Sequence, residues 1–226
     1  MTLILFYDHN FQDNQGITMK DLLLKLTRKQ KQVLFNDLNY LNLKEIKAFC
    51  KKHHLPIVIH IEIAKDHYIK TTEIDRKGVL LARIKQYLLA QIIQSPTIFN
   101  SKVISFTLLP KNIHEKNKVL YGQYKNKNPL ILKLMKKLTN NQFTYGAISQ
   151  EVIRKFWAKG IAPTYQSFAK AWLKAKIFHD KPNAEWAYLT DKSKGLVYSD
   201  WKKLRVQKAK SVLVILNTIK SKFKIS

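Results

Sequence analysis

The sequence predicts a mainly α-helical fold with one small β-hairpin. Over most of the chain, apolar residues recur at spacings of three and four, which is the period of an amphipathic helix. One segment, "IVIHIEI", alternates instead with the two-residue period of a strand. Hydrophobic residues make up 46% of the 226 residues, which is enough for the core of one good-sized domain or two small ones. We therefore expect a folded, predominantly helical protein.

The amino-terminal part of the chain is predicted to form three helices after an irregular or briefly extended opening. Thr18 is placed to cap the first helix, and the second is expected over residues 29–38. Asn42 is placed to cap the third, "LKEIKAFCKKHH", which Pro56 would end. The apolar side of this third helix consists of Leu43, Ile46, Phe49 and Cys50. Its lysines are expected to face away from that side.

A β-hairpin is predicted over residues 57–74, and a fourth helix follows it. The two strands are "IVIHIEI" and the β-branched segment "YIKTTEI", with "AKDH" as the turn. Asp75 is expected to cap the helix "DRKGVLLARIKQYL". The apolar side of this helix consists of Leu80, Leu81, Ile84, Tyr87 and Leu88. Arg83 and Lys85 are expected on the other side, where they would form a basic rim.

The rest of the chain is predicted to be a linker and a helical carboxy-terminal region. Prolines and Gly122 punctuate residues 94–128, which indicates an ordered linker between an amino-terminal region, 1–93, and a carboxy-terminal region, 129–226. Helices are expected in "NPLILKLMKKLTNN", from Ser149 to Gly160, after Thr164, and in "SDWKKLRVQKAKSVLVILNTIKSKF". The prediction is therefore a chain of two halves.

The net charge indicates the class of partner. Against 15 Asp and Glu the chain has 41 Lys and Arg, which gives a formal charge of +26. Self-repulsion of this size opposes compaction, so an acidic polyanion is the expected partner, and nucleic acid is preferred to a membrane. No uncharged run approaches the roughly 20 residues of a membrane span. Because Cys50 is the single cysteine, no intramolecular disulfide can form, and we expect a cytoplasmic protein.

Two of the predicted helices share a pattern with a known family. The first ends in a small apolar residue and Leu-Pro, and the second begins with a lysine and continues with Leu, Arg and an aliphatic residue. The positions concerned are Leu43, Ile46, Phe49, Cys50, Leu55, Pro56, Lys77, Leu80 or Leu81, Arg83 and Ile84. The pattern resembles the SAP domain, a helix-extended-helix module of many DNA-binding proteins. The hairpin at 57–74 is a departure, because the family usually joins its helices by a few residues.

The carboxy-terminal half is similar, more faintly, to that of bacterial SAP-containing proteins of unassigned function. The segments "FTYGAISQEVIRKFW" and "APTYQSFAKAWLKAK" carry this similarity, which implies a bacterial origin and supplies no activity. The SAP resemblance itself covers only residues 43–88. It implies DNA binding through the phosphate backbone, and a nucleoid-associated location within the cytoplasm would fit that function.

Basic residues at two places are the candidate nucleic-acid-binding residues. The start of the helix after Asp75 is a natural phosphate site, because helix amino termini carry partial positive charge and free N–H groups. The candidates at or beside this start are Lys44, Lys47, Lys51, Arg76, Lys77, Gly78, Arg83 and Lys85. The last helix adds a basic cluster that includes Lys202 and Arg205.

The expected function is non-enzymatic binding of DNA through its phosphates. RNA or a ribosome is the alternative partner, and the carboxy-terminal region is also a candidate surface for a second protein. Aromatic residues interleaved with lysines in "YGQYKNKNP" leave base stacking open as an additional contact.

Two groups of residues suggest a metal site or a catalytic site as alternatives to this function. The residues closest to a metal-site pattern are Cys50, His53, His54, His60 and His67. They lack the paired spacing of zinc ligands, so we expect no metal and no other cofactor. Asp66, Asp75 and Lys77 loosely match the residues that hold a divalent metal in nucleases, although a turn Asp and a capping Asp account for them equally. A metal-dependent nuclease is therefore the enzymatic alternative, and no catalytic residue is expected.

Overall fold

The computed structural model describes residues 23–125, 127–179, 187, 195 and 197–219. The helices are α1 (Arg28–Asp37), α2 (Leu43–Lys52), α3 (Lys77–Ala90), α4 (Pro129–Leu138), α5 (Ala147–Ala158), α6 (Tyr165–His179) and α7 (Tyr198–Thr218). The strands are β1 (Val58–Ala64), β2 (His67–Ile74) and β3 (Ile98–Phe99). The protein is mainly helical with one small sheet, as the sequence predicts. The cap predicted at Thr18 lies outside the described residues.

Reciprocal side-chain caps define the starts of α1 and α2. The backbone N–H of Glu45 donates to the Asn42 side chain at 2.8 Å, and the Asn42 N–H donates to the Glu45 carboxylate at 2.7 Å. Thr27 and Gln30 form the same arrangement at α1. Each box satisfies two N–H groups that would otherwise lack partners. The predicted cap at Asn42 is thus confirmed, and α2 ends at Lys52, before Pro56.

The predicted hairpin is present and belongs to a larger sheet. β1 pairs antiparallel with β2 and parallel with β3, so the strand order is β2-β1-β3. Ile59 and Ile61 are buried, whereas Ile63 at the end of β1 is exposed. The sequence did not predict β3, which consists of two residues within the segment expected to be a linker.

Two predicted helix starts differ from the structure. α3 begins at Lys77 with Arg76 as its N-cap, so the prediction that Asp75 caps this helix is wrong. The Asp75 side chain is buried and pairs with Arg83 instead. α5 begins at Ala147, two residues before Ser149, whose hydroxyl donates to the Gly146 carbonyl. The predicted end of α5 is correct, since Gly160 follows this helix with a φ of +69°. The predicted start of α6 is also correct, since Thr164 caps that helix.

The buried apolar residues form two clusters that divide the chain differently from the predicted regions. One cluster joins α1, α2 and α3 to α7, through buried residues that include Val212, Ile215 and Leu216. The other joins the sheet to α4, α5 and α6 and includes Phe99 and Val119 from the predicted linker. Residues 94–128 therefore contribute to a core, and the last described helix returns to pack on the amino-terminal helices.

Candidate nucleic-acid interface

Arg83 lies inside the protein and is not part of an exposed rim, contrary to the prediction. Its side chain is only 4% exposed, and its guanidinium donates to the Asp75 carboxylate at 2.6 Å. It also donates to the Pro56 carbonyl at 2.8 Å and to the Thr97 hydroxyl at 3.0 Å. A buried carboxylate requires a charged or hydrogen-bonded partner, and Arg83 provides it for Asp75. Arg83 is thereby excluded from contact with a phosphate.

The start of α3 is partly enclosed by neighbouring elements. Arg76, Lys77 and Gly78 are half-buried, and the Lys77 ammonium donates to the carbonyl of Asn39 in the turn after α1. Arg76 and Gly78 line a cleft of about 370 Å³ between α3 and α5. Lys85, two turns into α3, is exposed. The residues predicted at this helix start thus face a cleft and a turn, and Lys85 alone of the α3 candidates lies fully on the surface.

A row of lysines lies on the outer side of α2. Lys44 and Lys51 are exposed and Lys47 is half-buried, whereas Ile46 and Phe49 on the other side are buried. None of the three side-chain ammonium groups makes a hydrogen bond or ion pair with another described residue. We call Lys44, Lys47 and Lys51 the α2 lysine face. It presents three positive charges within two helical turns.

The two predicted groups of basic residues meet at the start of α2. The Arg205 guanidinium of α7 pairs with Glu45 and donates to the Tyr40 carbonyl at 2.9 Å. Glu45 directly follows Lys44 in α2, so the interaction joins residues 160 positions apart. Lys202, one turn before Arg205, is exposed, with its ammonium 4.7 Å from the centre of the Tyr198 ring. Arg205 therefore tethers α7 to α2, and Lys202 extends the basic surface.

A lysine-lined groove between α5 and α6 was not predicted. It has a volume of about 360 Å³ and is lined by Val152, Lys155, Phe156, Lys159, Ile161, Ala171, Lys174 and Ala175. Lys155 pairs with Glu151 at 2.5 Å, one helical turn away. The four-residue spacing of Lys155 and Lys159 was a visible signal of a basic helix side. The position of Lys174 opposite them depends on the packing of α6 against α5, which the sequence pattern does not contain.

Five of the nine described carboxylates are used in ion pairs inside and between elements. The pairs among the described residues are Asp75–Arg83, Glu73–Arg154, Glu151–Lys155, Glu45–Arg205 and Asp37–Lys208. Four of these pairs use a carboxylate whose side chain is less than a quarter exposed, and the fifth uses Glu73, which is a third exposed. Many surface lysines, such as those of the α2 lysine face, consequently have no acidic neighbour to neutralise them, and their potential extends into solvent.

The residues of the nuclease alternative are far apart. Asp66 lies in the hairpin turn with a φ of +60°, whereas Asp75 follows the other end of β2. The eight residues of β2 separate them, a distance of about 25 Å at the rise of a strand. Asp75 is also paired with Arg83. These carboxylates cannot share a metal ion, and no group of three or more His, Cys, Asp or Glu within the described part of the chain could hold one.

Cys50 and His53 are core residues. Cys50 is fully buried, and burial raises the pKa of its thiol to about 11. His53 is also fully buried, stacks on Phe49 at 4.2 Å between ring centroids and hydrogen-bonds to the Tyr87 hydroxyl at 3.1 Å. Burial lowers the pKa of His53 to about 4, and the nearby Lys52 and His54 act in the same direction. Both residues are therefore neutral near pH 7 and contribute packing.

Comparison with known proteins does not add a family or a relative. No family model matches the sequence, no curated protein matches it, and no solved structure matches it. Among the described helices, none has the length and apolar character needed to cross a membrane. The surface charge is therefore the principal observation on which a function can be based.

Proposed function

We propose that this protein binds DNA, without catalysis, through contacts to the phosphate backbone. The observation that carries the proposal is the α2 lysine face: three cations on one side of a single helix, with no ion-pair partner among the described residues, in a chain of net charge +26. Each cation that replaces a condensed counterion on DNA releases that ion, and this release drives association. Lys202 and Lys85 are the further surface positions that would contact phosphates.

The distribution of charge supports a polyanion as partner in preference to a single small anion. Exposed lysines occur on α2, along the groove between α5 and α6, and on α4, where Lys133, Lys136 and Lys137 are all exposed. A partner with regularly repeated phosphates can contact several such surfaces together. The SAP resemblance of residues 43–88, which contain the α2 lysine face, favours DNA within this class. A bacterial cytoplasmic protein associated with the nucleoid is the cellular setting that we propose with this function.

The test is fluorescence anisotropy of a labelled DNA duplex titrated with the protein over a series of salt concentrations. If about six phosphates are contacted, the logarithm of affinity should fall with a slope of about 5 per log unit of salt. The triple variant Lys44→Ala, Lys47→Ala and Lys51→Ala should reduce that slope by about 3 and weaken binding. Binding that does not respond to salt would contradict the proposal.

The matched control removes the same charge from another helix of the same length. Lys133, Lys136 and Lys137 lie on α4, which has ten residues like α2. Replacing these three lysines by Ala should change the salt slope less than the α2 triple variant does. An equal loss in both variants would show that binding follows net charge and has no preferred face, and the assignment to α2 would be wrong.

Two further arms separate the alternative functions. In the first, structured RNA, single strands and unlabelled duplex each compete with the labelled duplex for the protein. If RNA displaces the labelled duplex more readily than unlabelled duplex does, RNA would be the partner. Incubation with magnesium followed by a gel measures strand cleavage. We expect intact DNA, because Asp66 and Asp75 are at opposite ends of β2.

A further inference from the structure

Two apolar side chains project into solvent from the loop that follows β3. Phe106 is 76% exposed and Leu108 is 87% exposed, the largest values of any large hydrophobic residue in the described part of the chain. Single exposed apolar residues are common on protein surfaces, but two large ones within three positions form a contiguous apolar tip. Their exposure therefore calls for a partner.

The loop is fixed by polar side chains on its inner side. The Gln123 amide, which is buried, donates to the Ser105 hydroxyl at 3.1 Å and to the Thr107 hydroxyl at 2.9 Å. The two hydroxyl oxygens are themselves 2.9 Å apart. Gln123 thus holds residues 105 and 107 by their side chains, while the side chains of Phe106 and Leu108 are left exposed. We call this arrangement of Ser105, Thr107 and Gln123 the clip.

Gly122 is required for the clip. Its φ is +92°, and a Cβ built at this position would lie 2.1 Å from the carbonyl oxygen of Ser105. Only glycine allows the backbone of residue 122 to approach the loop this closely. The Ser105 N–H also donates to the Tyr121 carbonyl at 2.9 Å. The loop is thus held in one conformation, and the apolar tip needs little further ordering when it meets a partner.

Positive charges flank the tip on each chain segment that forms it. Lys102, Lys111 and Lys125 are exposed and lie within three residues of Ser105, Leu108 and Gln123 respectively. Over residues 94–128 the chain has six lysines and a single acidic residue, Glu115. An apolar tip between lysines is complementary to a duplex, which offers an apolar base stack between two rows of phosphates.

We infer that Phe106 and Leu108 form a wedge that enters between adjacent base pairs of duplex DNA from the minor groove. Apolar side chains of this kind separate a base step and kink the duplex, and the flanking lysines would contact the phosphates on either side. A single-stranded partner fits less well, because stacking along a strand uses successive aromatic rings and Leu108 has no π-face. This inference rests on the proposed function and adds a second contact outside α2.

The test uses a DNA duplex that contains 2-aminopurine, whose fluorescence rises when its base loses stacking. Binding of the wild-type protein should raise this fluorescence. The double variant Phe106→Ala and Leu108→Ala should abolish the rise and weaken binding about tenfold, because the contacts that separate the base step are lost. The salt slope should stay unchanged, because no charge is removed. Gln123→Ala, which keeps both wedge side chains but releases the clip, should reduce the rise.

The matched control is Ile177→Ala on α6, which removes a side chain that is 68% exposed and outside the clip. It should leave both affinity and fluorescence unchanged. Salt-dependent binding by the wild type with no fluorescence rise, or with an unchanged double variant, would overturn the wedge and leave the proposed function standing. Failure of the wild type to bind the duplex at all would overturn both. Binding to anionic lipid vesicles that depends on Phe106 and Leu108, with no effect on DNA, would assign the tip to a membrane surface and overturn the wedge.

Discussion

Helices α2 and α3 both carry an apolar side and several basic residues, but their basic residues have different surroundings. On α2, Lys44, Lys47 and Lys51 face solvent with no described ion-pair partner, and on α3, Arg83 is buried against Asp75. The difference follows from the position of the nearest carboxylate. Asp75 is enclosed beside Arg83, whereas the one carboxylate of α2, Glu45, is paired with Arg205 of α7. Arg83 is thus structural because Asp75 is within reach, whereas the α2 lysine face has no described ion-pair partner and remains available to a partner molecule.

The comparison also explains why a charge-rich chain can fold. The Asp75 carboxylate neutralises the buried Arg83 guanidinium, which would cost several kcal/mol if it were buried unpaired. Arg83 joins α3 to the end of β2 and to the segment before β3, and Arg154 joins α5 to Glu73 of β2. Four of the five described ion pairs thus join different parts of the chain, and only Glu151–Lys155 lies within one helix.

Arg83→Ala should have the largest effect on stability. The substitution leaves the buried Asp75 carboxylate without its partner, and removal of one member of a buried pair typically costs about 3–5 kcal/mol of the free energy of unfolding. Urea denaturation followed by circular dichroism measures this loss. The combined variant Asp75→Asn and Arg83→Met, which removes both charges, should lose less than Arg83→Ala alone.

Lys85→Ala is the control for Arg83, because Lys85 is exposed on the same helix. Its effect on the free energy of unfolding should be within about 0.5 kcal/mol. Equal losses in Lys85→Ala and Arg83→Ala would mean that the buried ion pair does not distinguish the two positions, and the contrast between α2 and α3 would lose its basis.

Acid should destabilise the protein through His53 on the buried side of α2. The unfolded chain takes up a proton at this imidazole as the pH falls below 6.5, whereas burial keeps the folded-state pKa at about 4. Between these values the unfolded state binds more protons, so the free energy of unfolding falls with falling pH, by about 2 kcal/mol at pH 5 from this residue. Urea denaturation at pH 7 and pH 5 measures the difference.

His53→Gln should remove that part of the pH dependence, whatever its effect at pH 7. His67→Gln, on the exposed hairpin, serves as the control for the loss of one histidine. If His53→Gln loses as much stability between pH 7 and pH 5 as the wild type, the acid sensitivity has another source and His53 is not the buried neutral group described above.

Arg205→Ala should have an intermediate effect, because this residue combines a tether with partial exposure. Its side chain is 19% exposed, and its guanidinium contacts both Glu45 and the Tyr40 carbonyl. We expect a loss of about 1–2 kcal/mol in the free energy of unfolding. Lys202→Ala, on the same helix, should cost under about 0.5 kcal/mol. If urea denaturation gives the same loss in the free energy of unfolding for both variants, Arg205 contributes no more to stability than a surface lysine does, unlike Arg83.

The local elements could be predicted from the sequence because their determinants are local. Asn42 and Glu45, three residues apart, specify the start of α2, and the alternation of Ile59 and Ile61 specifies the hairpin. The pairing of β3 with β1 could not be predicted, since it joins a two-residue strand to a partner more than thirty residues away. The packing of α7 on α1 was not predicted either, because the apolar side of a helix does not indicate which other element it packs against.

The site was predictable only where exposure followed the helical period. Lys44, Lys47 and Lys51 lie on the outer side of α2, as their spacing indicates. Arg83 lies at the margin of the apolar side of α3, and its burial depends on Asp75, eight positions earlier. The wedge was not predicted, because the side chains that hold its loop include Gln123, which is seventeen residues from Phe106. Its contacts to Ser105 and Thr107 are visible only in three dimensions.

The smallest expected effect on stability belongs to the α2 lysine face. Because these lysines have no described partner, replacing Lys44, Lys47 and Lys51 by Ala should change the free energy of unfolding by at most about 0.5 kcal/mol per residue, with reduced self-repulsion acting in the stabilising direction. The same variant should gain less stability from a fixed excess of DNA duplex than the wild type does, since a ligand at free concentration L stabilises by RT ln(1 + L/Kd), which falls as Kd rises. Thermal unfolding with and without duplex measures both quantities in one experiment.

If the triple variant unfolds at the wild-type temperature in the absence of DNA and is still less stabilised by DNA than the wild type, that result would separate binding from folding on α2. Arg83→Ala cannot separate the two on α3, because it also destabilises the protein. A variant that is destabilised without DNA would instead show that these lysines have structural partners, and the contrast between the two helices would fail.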